Sequence, residues 1–248
     1  MHWLPPAGHQ GIVLGRCEVM DPAALGQVAG RRSQSYWLLS RLVSEAPHRS
    51  FLEEISATLA GAPLNLDAPL GVETAMLLES LAGVDFSEDG LNTLRVEHTR
   101  LLGALGESYG APAPYESVSR PGTAAGESCA AVVRCYADAG FDPPLPGDGP
   151  ADSLASELRF LALACYRESR AWSAEDRPEA FAWAEVERQF LDDHVLQWVP
   201  RHCEALCLRA ETPYFRAVAR LIARACIVDR EDVAELCAWA TLSTDSAA

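Results

Sequence analysis

Lysine is absent from this chain, and all 20 of its basic residues are arginine. Chemistry that forms a Schiff base on a lysine side chain is therefore excluded. No run approaches the roughly 20 consecutive apolar residues that span a bilayer. The opening residues, Met1 to Pro6, also lack the basic start and apolar centre of a secretory signal. We therefore expect a cytoplasmic protein with no stable membrane insertion.

The charge balance is strongly acidic, with 35 acidic against 20 basic residues and a formal net charge of -15. Such a surface repels phosphate backbones, so we expect no nucleic-acid partner. It favours basic ligands instead. With 248 residues, of which 49% are hydrophobic, the chain can bury a large core.

Signatures of catalysis and metal binding are equally scarce. The chain has no P-loop, no G-x-S-x-G and no H-E-x-x-H, and its eight cysteines include no C-x-x-C pair. We therefore predict a non-enzyme with no catalytic residue, no metal ligand and no cofactor. The alternative is a small helical metal-binding enzyme, and its candidate ligands are Asp193, His194, His202 and Cys203.

Apolar residues recur at helical spacing throughout, and no run of alternating β-branched residues interrupts them. We predict an all-α bundle of about ten helices, with an irregular extension over 1–20, a helical domain over 21–242 and a frayed tail over 243–248. Its N-terminal part is 21–140 and its C-terminal part is 151–242. A hinge over 141–150, with four prolines and two glycines, separates them. The predicted helices cover about 21–45, 50–60, 69–81, 88–105, 123–139, 177–194, 196–210, 213–228 and 232–240, and a strongly patterned core helix is capped by Asp152 or Ser153.

The most informative stretch joins a helix to a polar loop. Glu97 and Arg100 lie one turn apart, where they can pair. Beyond the helix end, Pro112 and Pro114 stiffen a loop that carries three side chains able to form hydrogen bonds, Tyr115, Glu116 and Ser117. Glu116 could serve the fold instead, by capping the next helix or by pairing with Arg100 or Arg120.

Four stretches resemble segments of one family, in family order. They are Tyr36 to Leu42; Glu97-x-x-Arg100-Leu101-Leu102 followed by Pro114-Tyr115-Glu116-Ser117-Val118; Pro150-x-Asp152-Ser153-Leu154-x-x-Glu157-Leu158-x-Phe160; and Phe190-x-x-Asp193-His194-Val195-x-x-Trp198-Val199-Pro200. Together they resemble the TorD/DmsD family of redox-enzyme maturation chaperones. The resemblance departs from the family pattern at Ser153, where a histidine is usual, and at Ser119, where an aromatic residue is usual.

The resemblance implies a client-specific chaperone that binds the precursor of a DMSO-reductase-family molybdoenzyme catalytic subunit, often through its twin-arginine signal peptide, and assists cofactor insertion before export. It implies client contacts at Tyr115, Glu116, Ser117, Asp152 and Ser153, and structural support from Glu97, Arg100, Leu101 and Pro114. Recognition of the mature client body is the alternative. The chain could be a monomer or a homodimer, with helices exchanged through the hinge.

Overall fold

The computed structural model describes residues 21–61, 64–105, 110–120, 125–141 and 149–245. These residues contain no β-strand, so the predicted all-α fold is confirmed. None of the described helices is long and apolar enough to cross a membrane. Within the described ranges the ten α-helices are α1 (Pro22–Ser44), α2 (Arg49–Ala60), α3 (Gly71–Ala82), α4 (Glu88–Leu102), α5 (Glu116–Ser119), α6 (Ala125–Asp138), α7 (Leu154–Ser173), α8 (Arg177–Phe190), α9 (Leu196–Arg209) and α10 (Pro213–Asp245), and a π-helical turn (Leu191–Val195) joins α8 to α9.

Short polar side chains begin several helices where the sequence predicts them. The Asp21 carboxylate accepts a hydrogen bond from the Ala23 amide at 3.0 Å, and Pro22 fits the first turn of α1. Ser153 caps α7, because its Oγ accepts from the Ser156 amide at 3.2 Å. Gly140 follows α6 with a φ of 73°, a left-handed conformation that glycine adopts without strain. Local chemistry therefore sets these helix boundaries.

Helix α7 lies at the centre of the bundle, where it packs along α1 and α8. Its apolar positions Leu154, Leu158, Leu161 and Cys165 are fully buried, which confirms the predicted core helix. Helix α10 packs against α9, α3 and α8, so the last helix in the chain closes the bundle. Backbone hydrogen bonds hold residues 114–116 against the N-terminal end of α7.

One largely buried arginine, Arg32, links four helices. Arg32 of α1 donates to Glu168 of α7 at 2.7 Å, and also to Glu187 of α8 and Asp229 of α10. The Tyr36 hydroxyl donates to Asp229 at 2.7 Å. These bonds tie α10 into the core at a point where its own sequence is highly polar.

Three element predictions differ from the structure. The two helices predicted over 213–228 and 232–240 are one helix, α10, because Asp229 in the polar segment between them is paired with Arg32 and Tyr36. The predicted loop over 106–122 contains the helical turn α5, and the helix predicted over 177–194 gives way to the π-helical turn after Phe190.

Several predicted segments lie outside the described residues. They are the N-terminal extension over 1–20, residues 142–148 of the hinge and the last three residues of the tail. The start of that tail, residues 243–245, belongs to α10.

Candidate functional site

The loop before α5 is joined to the start of α7 by backbone hydrogen bonds. The Glu116 amide donates to the Asp152 carbonyl at 2.9 Å, and the Leu154 amide donates to the Pro114 carbonyl at 2.9 Å. These two bonds form an isolated antiparallel bridge between Tyr115 and Ser153. Two stretches that are distant in sequence therefore form one local unit, which we call the Glu116 turn unit: Pro114–Arg120 with Asp152 and Ser153.

Asp152 supports the first turn of α5 from the interior of the protein. Its Oδ2 accepts a hydrogen bond from the Ser117 amide at 2.9 Å, and its side chain is buried. A carboxylate in this position satisfies a free amide at the start of a helical turn and interacts favourably with the helix dipole. Asp152 thus holds the turn in place from inside the protein.

The Glu116 carboxylate is completely buried and has two cationic or polar partners. One oxygen accepts from Arg120 Nη1 at 2.5 Å, and the other lies 2.9 Å from His194 Nδ1. Arg120 Nη1 also donates to the Asp193 carbonyl at 2.8 Å. Glu116 therefore connects α5 to the π-helical turn, with Arg120 bonded to both segments.

His194 is oriented by bonds at both ring nitrogens. Its Nε2 lies 3.3 Å from Cys135 Sγ on α6, while Nδ1 faces Glu116. Burial opposes protonation, but the hydrogen bonds to Cys135 and Glu116 outweigh it and raise the pKa of His194 to about 9. The imidazole is therefore a cation at neutral pH, and together with Arg120 it balances the buried Glu116 charge.

A second buried carboxyl, Glu157 on α7, lies behind this group. Burial raises its pKa well above the ordinary value, and the nearby Glu116 charge raises it further. One Glu157 oxygen accepts from Trp198 Nε1 at 3.0 Å. Burial thus favours the neutral form of Glu157, which joins α7 to α9 through its bond to Trp198.

The predicted client contacts differ in exposure. Glu116, Asp152 and Ser153 are buried, whereas Tyr115 and Ser117 are half-buried. Val118, the next residue of α5, has 56% of its surface exposed. The turn thus presents an apolar and hydroxyl-bearing face to solvent, while its carboxylates point into the protein.

The predicted support residues divide between two places. Pro114 belongs to the Glu116 turn unit, and Leu101 is buried in the main core. Glu97 lies instead at the junction of α9 and α10, where its carboxylate accepts from the Glu211 amide at 2.5 Å and the Thr212 amide at 3.2 Å.

Arg100 is at the same junction, where Nη2 donates to the Arg209 carbonyl at 3.0 Å and approaches Glu211 at 3.1 Å. The Arg100 side chain therefore does not reach Glu116 or Asp152. It is the Arg100 backbone that contacts the loop, because the loop residue Gly110 packs against the Arg100 carbonyl.

Sequence reasoning missed the positioning roles of His194, Cys135 and Glu157. The local sequence around His194 indicates a helix-end residue or a metal ligand, and nothing in its spacing indicates Glu116, which is 78 residues away. The pair of Glu116 and Arg120 is one of the alternatives that the sequence leaves open, because a spacing of four residues places two side chains on the same face of a helix.

The geometry gives no support to the metal-binding alternative. The Asp193 side chain is exposed while His194 is buried against Glu116. Burial lowers the pKa of His202 to about 4, so this ring is neutral. Among the residues that the structure describes, no group of three or more His, Cys, Asp or Glu side chains could hold a metal ion.

Comparison with known proteins adds two findings. The sequence model of the family described as nitrate reductase delta subunit matches residues 64–204. The chaperone protein TorD of Vibrio parahaemolyticus serotype O3:K6 (strain RIMD 2210633) is 25% identical over 206 residues, which cover 80% of this chain and 93% of that protein. The matched region contains the Glu116 turn unit, His194 and Glu157.

Proposed function

This chain belongs to the nitrate reductase delta subunit family, which includes the TorD-like chaperones, and from that premise we propose that it is a non-enzymatic, client-specific chaperone. Its client is the precursor of a DMSO-reductase-family molybdoenzyme catalytic subunit. It binds this precursor in the cytoplasm, through the twin-arginine signal peptide, and assists cofactor insertion before export.

One observation carries the proposal: three family-like stretches, far apart in sequence, meet at the Glu116 turn unit. Glu116 comes from the first, Asp152 from the second and His194 from the third, and hydrogen bonds of 2.9 Å join Glu116 to His194 and Asp152 to the Ser117 amide. Such a network restricts the turn before any ligand arrives. Preorganisation of this kind lowers the entropic cost of binding.

We infer a division of labour within the turn. The buried carboxylates of Glu116 and Asp152 position it, while Tyr115, Ser117 and the exposed Val118 contact the client. Ser153 is the N-cap of α7, where its hydroxyl accepts a hydrogen bond from the Ser156 amide, and it positions the start of that helix beside the turn. The client-binding role of Glu116 and Asp152 is thus indirect, through the shape of the turn.

Charge favours the same class of ligand. A twin-arginine signal has a basic start and an apolar centre, and this chain has a formal net charge of -15. Long-range attraction to an acidic protein raises the association rate of a basic peptide, while short-range packing on apolar side chains such as Val118 slows its release.

The test is co-expression with the molybdoenzyme catalytic subunit that is encoded nearest to this chain, with and without the leader of that subunit. Co-purification that requires the leader supports the proposal. Equal capture of both forms would favour recognition of the mature body, and no capture of either would contradict the assignment to that enzyme.

Matched variants then locate the contact. Val118→Asp should lower client capture several-fold and leave the melting temperature unchanged, because the side chain is 56% exposed. Val96→Asp, at an α4 position with 59% exposure, is the control and should capture client normally. The double variant of Glu116→Gln and Asp152→Asn should lower both capture and stability. Unchanged client binding and cofactor loading in that variant would show that the site is elsewhere.

Recognition of the mature client body remains the second candidate, and one observation favours it. The side chain at position 153 is a buried serine that caps α7, so this position cannot present the imidazole that is usual in the family. A peptide contact that needs that imidazole is absent here. The leader-free arm of the co-expression experiment decides between the two candidates.

A further inference from the structure

A cavity of about 160 Å³ lies between α1, the end of α2, residues 64–70 with the first turn of α3, and α10. None of its lining residues belongs to the Glu116 turn unit. Its walls are mainly apolar and include Leu39, Leu59, Leu70, Leu221, Ala225 and Val228. A cavity of ~150 Å³ holds a benzene molecule, so this one can accept a single leucine or phenylalanine side chain.

One side of the cavity is polar and acidic. Asp229 and Asp232, which are three residues apart on α10, both line it, and so does Tyr36, whose hydroxyl donates to Asp229 at 2.7 Å. Asp229 is already bonded to Arg32. Asp232 is half-buried, and its carboxylate forms no hydrogen bond or ion pair with another residue that the structure describes.

Most of the charges that act on Asp232 are negative, because Asp229, Glu231 and Glu235 raise its pKa and Arg32 lowers it. Arg31 and Arg32 both line the cavity, and Arg32 is bonded to Glu168 and Glu187 as well as to Asp229. Burial raises the pKa of Asp232 to about 6, with a further contribution from the Asp229 charge, so the carboxylate is ionised at pH 7. A cation beside Asp232 would relieve both effects.

We propose that this cavity is a second docking point for the client leader, in which an apolar side chain enters the cavity while a neighbouring arginine pairs with Asp232. This inference rests on the proposed function. It identifies the occupant by chemistry: a peptide segment that carries an arginine next to an apolar residue. The combination of an apolar chamber with one free carboxylate at its edge fits such a segment, because each half of the ligand finds a complementary surface.

The experiment measures fluorescence anisotropy of a labelled synthetic leader peptide from the nearest-encoded molybdoenzyme catalytic subunit. A second peptide carries glutamine in place of each arginine. Asp232→Asn should weaken binding of the arginine peptide about three- to tenfold, as expected for a partly buried ion pair, and should not affect the glutamine peptide. Glu231→Gln, an exposed neighbour on the same helix, is the matched control and should bind both peptides normally.

Cavity-filling variants test the apolar half of the proposal. Ala225→Leu places a larger side chain on the α10 wall, and Thr74→Leu does the same from α3. Either should weaken binding of both peptides, since the chamber is then partly occupied. Melting temperatures identify a variant that has lost its fold, and the other variant then carries the test.

The outcomes separate the two proposals. If the wild-type protein binds neither peptide, leader binding and the cavity assignment are both wrong. If it binds the arginine peptide but the Asp232 and cavity-filling variants match the wild type, only the cavity assignment is wrong.

Weaker binding in Arg31→Gln would indicate an anionic ligand and overturn the proposal. So would a change in self-association with unchanged peptide affinity, because the occupant would then be a second copy of this chain.

Discussion

Nδ1 of His194 lies 2.9 Å from the carboxylate of Glu116, although 78 residues separate them in the chain. This contact joins the π-helical turn to α5 inside the protein. Because it fixes the turn that carries Tyr115, Ser117 and Val118, the geometry of the exposed face depends on a buried ion pair. The stability of that face should therefore follow the protonation state of His194.

The stabilising contribution of His194 should be lost at alkaline pH. Its pKa is raised to about 9 in the folded protein, against about 6.5 for an unperturbed histidine. The contribution is therefore fully present below pH ~6.5 and disappears as the pH rises through about 9, with an upper limit of about 3 kcal/mol. Urea unfolding of the wild type and of His194→Gln, from pH 6 to pH 10, measures it. A stability difference that stays constant over this range would contradict the assignment.

Removal of Arg32 should destabilise the bundle strongly. Arg32→Met leaves Glu168, Glu187 and Asp229 without their shared cation, and loss of one partner from a buried ion network costs about 3–5 kcal/mol. The control is Arg41→Met on the same helix, where the pairs with Glu45 and Glu54 are more exposed and the cost should be about 1 kcal/mol. Chemical denaturation compares the two variants, and equal losses would mean that the buried network contributes no special stability.

Glu97 should stabilise the start of α10 through its charge. Glu97→Gln keeps the shape of the side chain but weakens the bonds to the Glu211 and Thr212 amides, so unfolding free energy should fall by about 1–2 kcal/mol. Amide exchange should accelerate at the first turn of α10. In Glu88→Gln, an exposed position on the same helix, neither quantity should change appreciably. A normal exchange rate in Glu97→Gln would argue against the capping role.

Gly110 should tolerate no side chain. A Cβ at this position would stand 1.7 Å from the Arg100 carbonyl oxygen, so Gly110→Ala forces the loop away from the end of α4. We expect reduced stability and reduced client capture together. Gly126→Ala is the matched control, because nothing lies within 4 Å of its Cβ and alanine favours the helix. Wild-type behaviour of Gly110→Ala in both assays would show that the loop is not fixed there.

Much of the fold could be predicted from the sequence, because local signals decide where most of its helices begin and end. Asp21 with Pro22, Ser153, and the glycine at position 140 all act within a few residues of themselves. The core face of α7 could also be predicted, since Leu154, Leu158 and Leu161 repeat at helical spacing. The stretch that resembles the family also located the loop that carries Glu116.

Other features required contacts between distant residues. The polar segment around Asp229 indicates a helix break when only neighbours are considered, and it continues as helix because Arg32 and Tyr36 satisfy Asp229 from α1. The sequence placed Glu97 and Arg100 with the candidate site, but their side chains bond to the junction of α9 and α10.

By itself, then, the sequence determined the helical class, most helix boundaries and the family, since these depend on composition, spacing and local capping. Only the tertiary structure decided that Glu116 and Asp152 point inward, that His194 is the counterion of Glu116, and that Asp232 lies beside an open cavity. Burial and charge pairing across the bundle depend on which distant residues meet, and no local pattern contains that information.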